Sequence, residues 1–446
     1  REKQYDFTTK IDFKLSDTNT FYVRYAQGEQ NSIGDSANGG RPIFPDSPNL
    51  VNTYRNPKNL AVNWRSSPTA KLTNEFIFGV STFAFSFDTE EPDPRFPFSF
   101  LDGISTPNTN FSYNARKLRT LQFVDNVTFD LAPHTIKAGM NLRFGRHIDD
   151  RSTVSGTNAE PIVTFGNGPG FGAFSLPGVA SATNPTGINS TDLTRLQNSL
   201  NNFLGRIGTI SQAFVSDPNN PGAFAPAGSR WINEASYPEL DFFIQDNWRF
   251  RPNLVFDLGL RWEAKLNPSV NGRPILVPNQ PVKLGAQPTD TLKWVEGDLF
   301  DNDYSKFLPS VGFAWDPFKT GKTSIRANYR ISSDRIASFL FGSSIFQSTP
   351  GNNVGATNST FGQGGGLYRN LGTVINTLAP TSTPTALRQP PPFGTGSINV
   401  VDPDLQYPMI HSWSASFQRE IWGNNVLEIN YIGKKGTHLL GGYNAN

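Results

Sequence analysis

The chain of 446 residues contains no cysteine. Disulfides, thiolate nucleophiles and cysteine-based zinc or iron–sulfur sites are excluded with it. No apolar run reaches the roughly 18 residues that a membrane-spanning helix needs, so transmembrane helices are not expected. No excess of one charge is present either: 39 basic residues against 37 acidic ones give +2, which leaves no footprint for nucleic acid. Histidine is scarce. His134, His147, His411 and His438 are the only four, with no pair at helical i, i+4 spacing and no His-Glu-x-x-His motif, so neither a metal site nor a cofactor is expected. No signal peptide or initiator methionine opens the chain, which starts Arg1-Glu2-Lys3-Gln4. The reading is therefore of an internal fragment of a longer, exported protein.

What the sequence does have is alternation. In Glu239 to Ala264, Leu240, Phe242, Ile244, Trp248 and Phe250 fall on one parity. Glu239, Asp241, Gln245, Asn247 and Arg249 fall on the other. After Arg251-Pro252-Asn253 the pattern restarts, with Leu254, Phe256, Leu258, Leu260 and Trp262 against Asp257, Gly259, Arg261 and Glu263. Successive side chains of a strand point to opposite faces, so each half has one apolar and one charged face. A Pro-Asn turn joins them into a hairpin. Strands of about 11 residues suit a tilted bilayer span. Mean hydropathy is −0.40, which is compatible with a barrel because half of every strand faces water.

The same unit recurs along the chain. Tyr5 to Leu15 pairs with Phe21 to Tyr25, Leu60 to Trp64 with Leu72 to Val80, and Leu121 to Phe129 with Ile136 to Phe144. After the central hairpin come Phe307 to Trp315 with Ile325 to Ile331, and Trp413 to Ile421 with Leu427 to Tyr431. Short turns separate the members of each pair. Long Gly-, Pro-, Asn- and Ser-rich loops separate the pairs. Bacterial outer-membrane barrels have this asymmetry, with short periplasmic turns and long extracellular loops. The parity slip at Phe83, Phe85 and Phe87 predicts a β-bulge near Ser81. Between Asp149 and Ser236 the pattern weakens. Ile162 to Phe165 and Arg206 to Ser216 are doubtful strands, and Thr191 to Leu204 reads as a helix capped by Ser190 or Thr191 and stopped by Gly205. The expected fold is all-β, a transmembrane antiparallel barrel of 12 clear strands plus those two.

Enzyme motifs fail on inspection. Lys319-Thr320-Gly321-Lys322-Thr323-Ser324 resembles the end of a phosphate loop, but Asp316 stands where glycine is required, and the segment reads as a hairpin turn. Gly166-Asn167-Gly168-Pro169-Gly170 has the wrong spacing for a dinucleotide fingerprint. Asp149-Asp150 and Glu90-Glu91 read as solvated loop charges without a catalytic partner. His134 reads as a turn residue and His411 as a lumen or interface residue. Trp64, Trp248, Trp262, Trp315 and Trp413 share the apolar parity and read as an interfacial girdle. No enzymatic activity is expected.

Several segments carry a family resemblance. Phe243-Ile244-Gln245-Asp246-Asn247-Trp248, followed by Pro252-Asn253-Leu254 and Leu258-Gly259-Leu260-Arg261-Trp262-Glu263, resembles the barrel signature of TonB-dependent outer-membrane transporters. Phe307 to Pro317 is similar to the "PRxGFAYDP" strand of the Oar-like branch, with Ser310 in place of the usual arginine. Ser412 to Glu420 resembles its "WSLSxQRE" strand, and Glu428 to Leu439 its "YVGSRGTHL" segment. Asn202-Phe203-Leu204-Gly205 is similar to its "DFLLG" helix, with Asn202 replacing aspartate.

The resemblance implies a barrel of about 22 strands around an internal plug, energised by the TonB–ExbB–ExbD complex. It also implies an N-terminal carboxypeptidase-regulatory-like domain. Residues 1–446 would be part of the barrel, with plug and regulatory-like domain outside this sequence. The expected location is the bacterial outer membrane, in contact with its lipid. The expected role is uptake of a large nutrient or chelate whose identity the sequence does not give. A passive porin-like channel and a secreted adhesin or glycan-binding β-protein stand as alternatives. Asp241, Gln245, Arg249, Asp257, Arg261 and Glu263 are the expected lumen-lining residues.

Overall fold

A computed structural model describes residues 1–38, 40–42, 45–46, 50–88, 98–99, 113–154, 157–166, 187–217, 219–271, 274–283, 292–345, 353–358, 378, 380, 400–423 and 425–442. Glu90-Glu91 and the 167–170 part of the glycine motif lie outside these residues. Twelve long strands form one antiparallel sheet in chain order. They are β1 (Glu2–Lys14), β2 (Asn19–Ser32), β3 (Asn52–Thr69), β4 (Leu72–Asp88), β5 (Asn114–Leu131) and β6 (His134–Arg151). The series continues with β7 (Trp231–Arg251), β8 (Leu254–Lys265), β9 (Phe307–Trp315), β10 (Thr323–Ser333), β11 (Met409–Glu420) and β12 (Val426–Thr437). Each pairs with the next, and a short strand, Ser269–Asn271, adds to the upper part of β7. All six hairpins expected from the sequence are present.

Register turns the alternation into two continuous faces. Phe21 pairs with Trp64, Trp64 with Phe76, Phe78 with Phe123, Phe123 with Leu142 and Leu142 with Leu240. The same face continues through Phe242 with Trp262, Phe256 with Phe313, Ala327 with Ala415 and Phe417 with Ile429. Apolar side chains stay exposed along it, including Phe7, Ile244, Phe307, Val311 and Ile429. Lipid is the medium that makes such exposure favourable. Two carboxylates interrupt this belt, and each is met by a neighbour. Asn74 donates to Asp125 at 2.7 Å, and His134 Nδ1 lies 2.7 Å from Asp246.

Several strands run well past the belt. A span needs about 9–11 residues, whereas β4 has 17 and β7 has 21. This corrects the expected bulge at Ser81. β4 keeps one register with β3 from Asn52↔Asp88 to Ser66↔Asn74, and one with β5 from Phe87↔Asn114 to Leu72↔Phe129. What changes is the medium. Above the belt the outward face is wet and the inward face is covered, so apolar residues move to the inward parity without any inserted residue. Phe83, Phe85 and Phe87 stack there at 5.5 and 5.7 Å, with the Arg116 guanidinium 5.2 Å above the Phe85 ring.

The two doubtful strands are real but stand outside the long sheet. Ile162–Phe165 and Ile207–Asp217 belong to a separate five-stranded sheet with Asn220–Phe224, Phe98–Ser99 and Asn353–Asn358. Ile207, Ile210, Val163 and Val215 are fully buried in it. The helix α1 spans Ser190–Phe203. Its cap is Asn189, one residue before the expected position, which accepts from the Asp192 amide at 2.8 Å. Gly205 ends it with φ 63°. Lys319–Lys322 is a turn, as expected, with Lys319 and Gly321 both at positive φ. Among the described residues no helix is long and apolar enough to cross a membrane.

Candidate functional site

The inward face of β6, β7 and β8 carries the densest chemistry. Its lower part, toward the turns, is open: Gln245, Asn247, Arg249 and Asp257 are exposed, and Asn247 donates to Asp257 at 2.9 Å. Higher up, Asp241 and Glu263 sit directly opposite each other. Two carboxylates in that relation repel. Arg261 lies 3.8 Å from each of them, Lys265 is 2.6 Å from Glu263, and Asn141 donates to Asp241 at 3.2 Å. Glu239, one rung above, faces Arg143 at 3.7 Å and Arg335 at 3.8 Å. The result is a wall of mixed sign whose charges are paired and whose lower rim is wet.

The six residues expected to line a lumen thus share one face, opposite the exposed apolar belt. The structure divides them: Asp241, Arg261 and Glu263 enter the ion-pair cluster, while Gln245, Arg249 and Asp257 stay open to solvent. Arg143, Lys265 and Arg335 complete the cluster. The first two lie on the inward parity of β6 and β8 and were legible by that rule. Arg335 follows β10 and was not.

Above this wall, loops fold onto the inward face. Phe300, from the loop between β8 and β9, and Phe341 and Tyr407, from the loop between β10 and β11, meet Trp231, Ala235 and Tyr237 of β7. Phe341 stands 6.0 Å from Tyr237 and from Phe300, and Phe300 is 6.0 Å from Tyr407. Trp231 is fully buried. Burying a large apolar side chain contributes about 1.5–3 kcal/mol, so several such rings hold the loops down. Beside them Asp149, 1% exposed, receives Arg151 at 2.7 and 3.0 Å and Arg116 at 3.3 Å. His147 Nδ1 meets Ser338 Oγ at 3.2 Å. Asp149 was expected to be a solvated loop charge. It lies instead on β6, on the inward parity with two arginines, and the loop that follows β10 covers it. Burial pushes the Tyr407 phenol above its ordinary range.

The aromatic girdle is placed as expected. All five tryptophans lie on the exposed apolar face. Trp64, Trp248 and Trp315 are near the turns, with Trp64 stacked on Phe21 at 5.9 Å and Trp248 beside Phe250, Phe256 and the His134 ring. Trp262 and Trp413 are near the loop end, where Trp262 packs on Phe242 at 5.8 Å and donates to the Tyr304 carbonyl. His411 is on this outward face, 2.7 Å from the Tyr329 hydroxyl, which makes it an interface residue and not a lumen one.

Two bands of aromatic rings bracketing a lipid-facing belt are the mark of a bacterial outer-membrane protein. The outer membrane beta barrel domain model matches residues 1–446. The chain belongs to that family. Its place is the bacterial outer membrane. Comparison with curated proteins finds no significant match. Among solved structures, it is similar to the ferric-catecholate import receptor Fiu of Escherichia coli K12, with 12% identity and a TM-score of 0.41, covering 97% of this chain and 51% of that one. The outer membrane transporter YddB of Escherichia coli gives 8% identity, a TM-score of 0.46 and coverage of 98% and 47%. A double mutant of the hemophore receptor HasR of Serratia marcescens gives 13%, 0.43, 98% and 46%. The chain spans about half the length of these structures.

Proposed function

We propose that this chain supplies the barrel of a TonB-dependent outer-membrane transporter of the Oar-like branch, which takes a large nutrient or chelate across the outer membrane. The observation that carries the reading is the two-zone inward face. A wall of paired charges with a wet lower rim lies below, and loops held by Phe300, Phe341 and Tyr407 lie over it. Free diffusion of small solutes has no use for a closure anchored by buried rings. An importer that binds cargo at the surface and admits it on demand needs one. The sequence motifs of β7, β8, β9, β11 and β12 support the same branch.

In this reading residues 1–446 are barrel, and a plug in the full-length protein contacts TonB–ExbB–ExbD. Asp241, Gln245, Arg249, Asp257, Arg261 and Glu263 line the path, and no residue has a catalytic role. Reconstitution of the full-length protein in liposomes tests it. No swelling in arabinose above that of empty vesicles is expected, together with photo-crosslinking to TonB in cells. Swelling at porin rates, or no TonB crosslink, overturns it.

A further inference from the structure

The outward face carries a second feature that transport does not use. On β3, β4, β5 and β6 the apolar belt ends at Leu60, Val80, Leu121 and Phe144, which lie side by side across the four strands. The next outward residue on each strand is Lys58, Thr82, Arg119 and Arg146, again side by side. One step beyond Arg119 is Lys117. The change from hydrocarbon-compatible to cationic thus takes one two-residue step, about 7 Å along a strand.

From Leu131 at the turn to Leu121 is ten residues of β5, about 34 Å along the strand. A tilt of about 40° makes that roughly 26 Å along the membrane normal, the height of an outer-membrane apolar band. Arg119 and its neighbours therefore stand where the outer-leaflet head groups begin.

The cations are also only partly compensated. Among the described residues, Lys58, Lys117 and Arg119 are exposed and make no hydrogen bond or close ion pair; Lys117 and Arg119 feel only the more distant carboxylates of Asp150 and Glu234. Arg146 uses one Nη on Glu234, while its Nε is buried without a partner. Asp150, higher on β6, is taken by Arg230 at 3.0 Å. Lys58, Thr82, Lys117, Arg119, Arg146 and Ile148 line a cleft of about 340 Å³, a volume within the small-ligand range. The patch is local. Beside Arg146 β7 carries Ser236, and beside Lys58 β2 carries Gln27, neither of them basic.

We infer that this cleft is a binding site for the phosphorylated head group of the outer-leaflet glycolipid, lipid A, with Lys58, Lys117 and Arg119 as phosphate donors. The acyl chains would lie on Leu60, Val80, Leu121 and Phe144 immediately below. Guanidinium and ammonium groups fit phosphate oxygens through charge-assisted hydrogen bonds. The inference rests on the outer-membrane location and not on the transport reading.

The test is native mass spectrometry of the full-length protein after detergent exchange in the presence of lipid A. Each cation near an anionic membrane surface contributes about a fivefold factor in affinity, so removing three gives a loss of about a hundredfold. Wild type is expected to retain lipid A, and K58Q/K117Q/R119Q to lose it by about that factor while keeping its heat-modifiable migration. Lipid A lacking its phosphates is expected to bind like the triple variant. If that variant does not fold, Arg119→Gln alone and Thr82→Asp, which sets a carboxylate inside the cleft, give the same comparison. Equal retention by wild type and variants, equal binding of dephosphorylated lipid A, or equal retention of phosphatidylglycerol overturns the site.

Discussion

Ile244 and Asn247 lie three residues apart on β7 and point to opposite faces, so one substitution placed at each reads the orientation of the whole sheet. Ile244 is 54% exposed on the apolar face. It sits four residues from Trp248 in the lower aromatic band, about 14 Å along the strand and roughly 10 Å along the normal after tilt. In a belt about 25 Å tall that is close to the midplane, where a lysine costs about 2–4 kcal/mol. At 3 kcal/mol the folding equilibrium falls by about two orders of magnitude. Asn247→Lys puts the same charge opposite Asp257, to which Asn247 already donates at 2.9 Å. A cross-strand pair of opposite charge contributes about 0.2–1 kcal/mol, so this variant is expected to match or slightly exceed wild type. The assay is guanidinium unfolding of the full-length protein from short-chain phosphatidylcholine vesicles, followed by tryptophan fluorescence. A cost at Asn247→Lys equal to or larger than that at Ile244→Lys refutes the assignment of faces.

Three further outcomes follow from the same geometry. With cysteines introduced one at a time, a water-soluble maleimide is expected to label Asp257→Cys and Arg261→Cys at least about tenfold faster than Phe256→Cys and Leu258→Cys, since thiolates react only where water reaches them. Equal rates at all four would contradict the wet inner wall. Lys265→Met leaves Glu263, 8% exposed, with only the longer Arg261 contact. Breaking a buried pair costs about 3–5 kcal/mol, and Lys265→Met/Glu263→Leu is expected to recover most of it in chemical unfolding; a Lys265→Met midpoint equal to wild type would show that the pair is solvated. In the loop after β2, the Asp35 carboxyl is held below the usual aspartate range, first by the Thr53 hydroxyl at 2.5 Å and also by Asn38 and the Ala37 amide, with burial opposing. A lowered folded pKa means its stabilisation is present above the unfolded value and lost as pH falls through the folded one. Hydrogen exchange of the Gly40 and Leu50 amides, which close this loop on Asp35 and Gly40 carbonyls, is therefore expected to quicken only below the ordinary aspartate range, and an onset near neutral pH would assign the loop's stability to another group.

The parts of this fold legible in the sequence are those where lipid and water sit on opposite sides of one strand. There the two media impose period-two patterning, and the parity of Leu240, Phe242 and Ile244 against Asp241 and Gln245 fixes which side each faces. The rule fails above the belt because its premise fails. Phe83, Phe85 and Phe87 are on the inward parity because the inside is covered there, so the same alternation reverses sign with no irregularity in the chain. Asp149 looked like a solvated loop charge for the same reason: nothing local to Asp149-Asp150 announces that Phe339 will lie 4.5 Å from the Arg116 guanidinium, or that Ser338 will meet His147, from nearly 200 residues away. Arg206 to Ser216 read as a doubtful strand because the strand that forms there, Ile207–Asp217, is buried on both sides and shows no alternation to find. The ion pairs of the lower wall were half visible, since parity gathers Asp241, Arg261 and Glu263 on one face but cannot choose partners. Register does that, and it places Asp241 against Glu263, a like-charge rung that stands only because Arg261 and Lys265 flank it. Turning the rung into an attractive pair, as in Asp241→Lys, would free Arg261 from one of its two anchors. The charge pattern that a passing ligand meets would therefore change along with the stability of the wall.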